Sequence, residues 1–219
     1  MHRLLFEKTG NAVWISHLDL MRLFQRAFKR AGLPLTHTQG FNPRPSVSIA
    51  LPLSVGVESV CELLDFTLDG ATISCEEICQ RLNDALVPGV RVREVYDTGM
   101  KLKELAFLDC AVTLEYDNGI PANANGELIQ LFASESLVVP KKGKNGVQDQ
   151  DIIPLIEGLE IIAVGEKELV LNARVCCQNP SLNPMQIVVA IGLHLPELNP
   201  DFAKCKRLEI YDLNQEVFR

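Results

Sequence analysis

The chain has 219 residues, 47% of them hydrophobic and 22% charged, with a formal net charge of −7, a balance far from the low-hydropathy, high-charge signature of disorder. No apolar run approaches the roughly 18–20 residues that cross a bilayer, and the start, Met1-His2-Arg3-Leu4-Leu5-Phe6-Glu7-Lys8, carries a glutamate and no small-residue cleavage site, so the expectation is a cytoplasmic protein. The seven cysteines are odd in number and sit mostly in apolar patterns, which suits reduced thiols used as small core residues.

Arg3–Lys8 reads as a strand, closed by a turn at Thr9, Gly10 and Asn11. A helix follows, with Ser16 as N-cap, Asp19 three residues on as in a capping box, and Gly32 with Pro34 as the stop. Leu20, Phe24, Ala27, Phe28 and Ala31 fall on one stripe of that helix, and Asp19, Arg22, Arg26, Lys29 and Arg30 fall opposite. The run Thr36–Pro45 is a loop dense in turn residues. Strands are predicted at Val47–Leu53 and Cys61–Leu68, a second helix at Cys75–Leu86 and a fourth strand at Val90–Tyr96. This β-α-β-β-α-β order is that of a ferredoxin-like unit.

From Lys101 the same grammar repeats. Phe107–Tyr116 is predicted as a strand, Gly126–Ser134 as a short helix, Leu137–Pro140 as a strand and Ile152–Leu159 as a further helical segment, with Lys141–Gln150 a flexible polar loop. Glu160–Val164 and Glu168–Cys177 pair as a hairpin, Asn183–Leu195 is helical with Pro184 in its first turn, and Arg207–Leu213 closes as a strand. The expected architecture is α+β, two ferredoxin-like units in tandem over residues 1–100 and 101–219, the second degenerate.

Charge is uneven along the chain. Residues 1–50 hold seven Lys and Arg against two acids, a local charge of +5 that leaves −12 for the remainder; such a division points to an anionic ligand bound at one place. Arg22, Arg26 and Lys29 lie at i, i+4 and i+7, so three cations share one helical face at a spacing that can follow a phosphate backbone. The adjoining loop offers Gln39, Asn42 and Arg44 as amide and guanidinium donors beside Gly40 and the aromatic Phe41, held extended by Pro43 and Pro45. The other reading of this loop is a structural turn, with Gln39 and Asn42 capping backbone and Phe41 plugging the core. His17 lies in the first helical turn, where its imidazole can act as a base or donor. Glu62 and Asp65 fall on opposite strand faces, which argues against an acid/base dyad; a basic-cluster arginine is the expected counter-ion of Glu62. No Walker loop, no Gly-x-Gly-x-x-Gly and no paired Cys-x-x-Cys occur, so neither metal nor nucleotide nor iron–sulfur cofactor is expected.

The segments Lys8-Thr-Gly-Asn-Ala-Val-Trp-Ile-Ser-His-Leu-Asp-Leu-Met-Arg-Leu-Phe-Gln-Arg-Ala-Phe-Lys-Arg-Ala-Gly-Leu-Pro34, Thr38-Gln-Gly-Phe-Asn-Pro-Arg-Pro45 and Glu62-Leu-Leu-Asp65 resemble the bacterial radical-SAM-associated family of unknown function. The resemblance implies a partner of cobalamin-binding-type radical SAM proteins and, by association, an rRNA or tRNA context. More loosely, the first hundred residues are similar to CRISPR-repeat endoribonucleases, which use tandem ferredoxin-like domains and often a histidine in the first helix, a place His17 fills. Their C-terminal glycine-rich loop has no counterpart, since Leu182–Glu197 contains only Gly192. The leading expectation is an RNA- or anion-recognition module with no activity of its own, serving a radical SAM partner. Two alternatives stand beside it: a metal-independent endoribonuclease with His17 as general base, and a protein-docking adaptor.

Overall fold

The computed structural model describes residues 1–70, 73–143 and 146–219. It divides into two compact units, Met1–Glu104 with Arg219, and Leu105–Phe218.

The first unit runs β1 (His2–Lys8), α1 (His17–Arg30), β2 (Val47–Ile49), β3 (Val57–Phe66), α2 (Cys75–Ala85) and β4 (Val90–Asp97). Its strands lie in the order β4-β1-β3-β2, each pair antiparallel. The register lines up Asp97, His2, Phe66 and Val47 as one row across the four strands. Apolar spacing along α1 decides which face it buries: Leu20, Phe24, Ala27 and Phe28 are out of solvent. Phe24 meets Phe6 of β1 edge to face at 4.7 Å, and Phe28 meets Phe66 of β3 at 4.8 Å. Each such buried ring contributes about 1.5–3 kcal/mol by area. α2 does the same through Ile78 and Leu82.

The second unit repeats this plan with an insertion. β5 (Leu105–Glu115), α3 (Ala124–Phe132), β8 (Ile156–Val164), β9 (Glu168–Cys176), α4 (Met185–His194) and β10 (Phe202–Asp212) follow the same order of elements, with β6 (Val138–Gly143) and β7 (Gly146–Asp151) inserted after α3. The strands pair antiparallel as β10-β5-β9-β8, which is the order of the first unit. Both units therefore carry the ferredoxin-like arrangement.

Several boundaries differ from the sequence reading. The turn after β1 is a short 3-10 helix over Gly10–Trp14. β2 ends at Ile49, short of Leu53, since Pro52 has no amide to give a ladder. The segment expected to be helical at 152–159 is a single 3-10 turn at Ile153–Leu155 that runs into β8; Pro154 cannot donate within a helix, and the β9 ladder, starting at Ile156 opposite Val175, claims the rest. The polar run expected to be a loop lies mostly in the β6–β7 hairpin, with Lys141 opposite Gln148 and Pro140 opposite Asp149. Lys144 and Asn145 of that run lie outside the described residues.

On β3 the described ion pair belongs to Asp65. Arg3 holds it in two bonds, Nε to Oδ1 at 2.6 Å and Nη2 to Oδ2 at 3.0 Å, and also donates to the Met100 carbonyl at 2.9 Å. Glu62, for which a basic-cluster arginine was the expected partner, is fully buried. All seven cysteines are free thiols. Among the described residues no helix is long and apolar enough to cross a membrane.

Candidate functional site

α1 begins as its sequence dictates. The Ser16 hydroxyl accepts from the Asp19 amide at 3.2 Å and donates to the Asp19 carboxylate at 2.7 Å. That bond, reinforced by the Arg22 guanidinium, holds the Asp19 carboxyl below its ordinary range. With the apolar stripe fixed against the sheet, Arg22, Arg26 and Lys29 are exposed on the far side. The rise of an α-helix puts Arg22 and Lys29 about 10 Å apart along the axis.

The cations are only loosely engaged within the protein. Arg22 contacts Asp19 at 2.9 Å in a pair whose side chains are 65% and 57% exposed, and such pairs contribute about 0–1 kcal/mol. Arg26 donates from Nε to the Arg22 carbonyl at 3.3 Å. Arg30 differs, because its guanidinium is tied to the Ala85 carbonyl at the end of α2. The usable cations of the helix are therefore Arg22, Arg26 and Lys29.

The loop after α1 is a closed projection. Its base is pinned to the sheet where the Thr36 amide donates to the Thr67 carbonyl at 2.9 Å and the Ser46 amide donates to the Thr36 carbonyl at 2.8 Å. One step out, the Thr38 amide donates to the Arg44 carbonyl at 2.8 Å, and the Arg44 amide donates to the Thr38 hydroxyl at 3.0 Å. Gly40 turns the tip at φ +137°, a conformation that L side chains rarely adopt. Every residue from Gln39 to Arg44 is exposed, and Phe41 is 102% exposed. Phe41 thus does not plug the core. Among the described residues the side chains of Gln39, Asn42 and Arg44 make no hydrogen bond, so they cap no backbone either.

His17 stands apart from this loop. It occupies the first residue of α1, while the loop base lies beyond the helix's last turn, a separation of about 20 Å along the axis. The imidazole is half-buried, with Nδ1 out of water and without a hydrogen-bond partner. Among the described residues no carboxylate or hydroxyl orients it as a general base requires. Of the nine residues picked from the sequence, eight are exposed and one, His17, is recessed at the far end.

Sequence reasoning missed two features. Thr38 sets the width of the loop, and its only sequence signal is a hydroxyl residue inside a proline-flanked turn. His2, Cys75 and Asp97 come together with one ligand atom of each within 4.8 Å of the others; they are too far apart in sequence for any spacing rule to join them.

A family model described as "Uncharacterized protein conserved in bacteria (DUF2344)" matches residues 2–184, and the chain belongs to that family. No curated protein matches it. Among solved structures, a chain of "Crystal Structure of a Cbf5-Nop10-Gar1 Complex" is similar with 10% identity and a TM-score of 0.50, over 95% of this chain and 48% of that one. "Crystal structure of the archaeal box H/ACA sRNP Nop10-Cbf5 complex" and "Structure of H/ACA RNP bound to a substrate RNA containing 2'-deoxyuridine" match with 10% identity and TM-scores of 0.47 and 0.48, over 94% of this chain and 46% of theirs. The chain spans about half the length of these three solved chains, and at 10% identity the likeness to the first is one of fold alone.

Proposed function

We propose that this member of the bacterial family binds unpaired RNA across the outer face of α1 and the loop at 36–46, and presents it to a radical SAM enzyme of the cobalamin-binding type in the cytoplasm. The observation that carries the reading is Phe41, a ring wholly in water at the tip of a loop braced by two prolines and closed by Thr38. An exposed aromatic beside unengaged amide and guanidinium groups suits a splayed base, which stacks on the ring while its edge meets Gln39, Asn42 or Arg44. Arg22, Arg26 and Lys29 then neutralise phosphates. Ribosomal and transfer RNA are the substrate classes to try first. The radical SAM partner rests on the motif resemblance at residues 8–34 and 38–45.

Fluorescence anisotropy with a labelled single-stranded RNA and a duplex of equal length tests this. Phe41→Ala should weaken single-strand binding by about 1–3 kcal/mol, roughly 5- to 150-fold, and leave the weaker duplex binding unchanged. Equal affinity for both forms, with no response to Phe41→Ala, ends the proposal.

A further inference from the structure

We propose that His2, Cys75 and Asp97 form a zinc-binding site at the end of the first unit. His2 is the first residue of β1, Cys75 the first of α2 and Asp97 the last of β4, so three separate elements deliver one ligand type each. A ring nitrogen of His2, Sγ of Cys75 and a carboxylate oxygen of Asp97 all lie within 4.8 Å of one another. In a tetrahedral zinc site, bonds of about 2.0–2.3 Å place the ligand atoms roughly 3.3–3.6 Å apart. Small side-chain rotations close that difference.

A second observation points the same way. Nδ1 of His2 is out of water and 2.8 Å from Oδ1 of Asp97, with no hydrogen bond formed between them. A cation seated between them would move the two atoms apart to about 3.3 Å and replace a poorly aligned ion pair with two bonds to the metal. His2 and Cys75 are each held in place. His2 packs against Phe66 with ring centroids 5.3 Å apart, and Ser74 caps α2 by accepting from the Glu77 amide at 3.2 Å, which fixes Cys75 on the first turn.

Ligand chemistry selects the ion. A thiolate with an imidazole favours zinc over the hard cations magnesium and calcium. Binding replaces the thiol proton of Cys75 with the metal, R–SH + Zn²⁺ giving R–S–Zn⁺ and H⁺, and the Asp97 carboxylate cancels the remaining charge. Three protein ligands leave a fourth position for water. The site is placed by the row Asp97, His2, Phe66, Val47 across the sheet. Val47 follows the 36–46 loop directly, so His2 lies about 10 Å, two strand spacings, from where that loop rejoins the sheet. The proposal does not depend on RNA being the ligand of the loop.

The untagged protein, stripped with a chelator and titrated with Co²⁺, provides the test. The expected result is one equivalent bound, with a sulfur-to-cobalt charge-transfer band and strong tetrahedral absorption in the visible, both bleached by Zn²⁺. Cys75→Ser should abolish the charge-transfer band. His2→Ala and Asp97→Asn should each weaken zinc binding by more than about 100-fold, since outer-shell changes alone cost about 10- to 100-fold. Cys79→Ser, one turn further along α2, should change nothing. Asp97 is exposed, so its substitution leaves the fold intact and keeps the test decisive should Cys75→Ser not fold. Absence of the band in the wild type, a band surviving Cys75→Ser, or zinc affinity indifferent to Asp97→Asn overturns the proposal.

Discussion

Replacing Arg22, Arg26 and Lys29 together by glutamine should flatten the salt dependence of RNA binding. Four cations of the candidate surface stand in solvent, these three and Arg44, while Arg30 is engaged with Ala85. Each phosphate neutralised on a single strand contributes about −0.7 to the slope of log K against log salt, so four contacts give about −2.8 and the triple variant about −0.7. Between about 50 and 200 mM salt the wild type should lose roughly 50-fold in affinity and the variant about threefold. Glutamine is close to arginine and lysine in helix propensity, and the one ion pair lost, Arg22 with Asp19, is exposed, so α1 itself should be little affected. Anisotropy titrations at four or five salt concentrations, with circular dichroism as the fold control, read the slope directly. A variant whose slope equals that of the wild type would show that phosphates are not met by this face.

Two further outcomes concern the first unit. Asp65→Ala removes the two bonds that pair the buried Arg3 guanidinium with a carboxylate and should cost about 3–5 kcal/mol, read as a lower urea midpoint; a loss under about 1 kcal/mol would mean that water reaches Arg3. Tyr96 is held up to about 12, chiefly by burial, whereas an unfolded tyrosine ionises near 10. Between those values the unfolded chain gives up its proton first, so stability should fall as pH rises through that window. Tyr96→Phe should remove that fall, and an unchanged alkaline profile would place the titration elsewhere.

The helices were legible in the sequence because their signals are local. Ser16, Asp19 and the Leu20-Phe24-Ala27-Phe28 stripe state where α1 begins and which side it buries, and the structure agrees. Of the β6–β7 hairpin only the start of β6 was legible, in the strand read at Leu137–Pro140; the rest was not, since Lys141, Lys142, Gln148 and Gln150 carry no apolar alternation and the pairing is made by backbone. Phe41 shows the limit at a site: glycine and proline announced a turn, and only coordinates decide whether its ring faces in or out. The triad of His2, Cys75 and Asp97 depends on strand register and a helix start, which no window along the chain contains.

The inserted hairpin has a consequence for motion. Two strands alone are marginal in water, and β6–β7 forms a sheet of its own. What holds it is one wholly buried side chain, Val139, and a few polar ties: Lys141 and Gln150 both donate to the Ser181 carbonyl, Gln186 donates to the Pro140 carbonyl at 3.4 Å, and His194 of α4 meets the Val138 carbonyl at 3.1 Å. Breaking those few contacts lets β6 and β7 lift away while the ladders of β5, β9 and β8 stay closed. Amide protons there should exchange with deuterium well ahead of those in β5, through an opening far smaller than global unfolding.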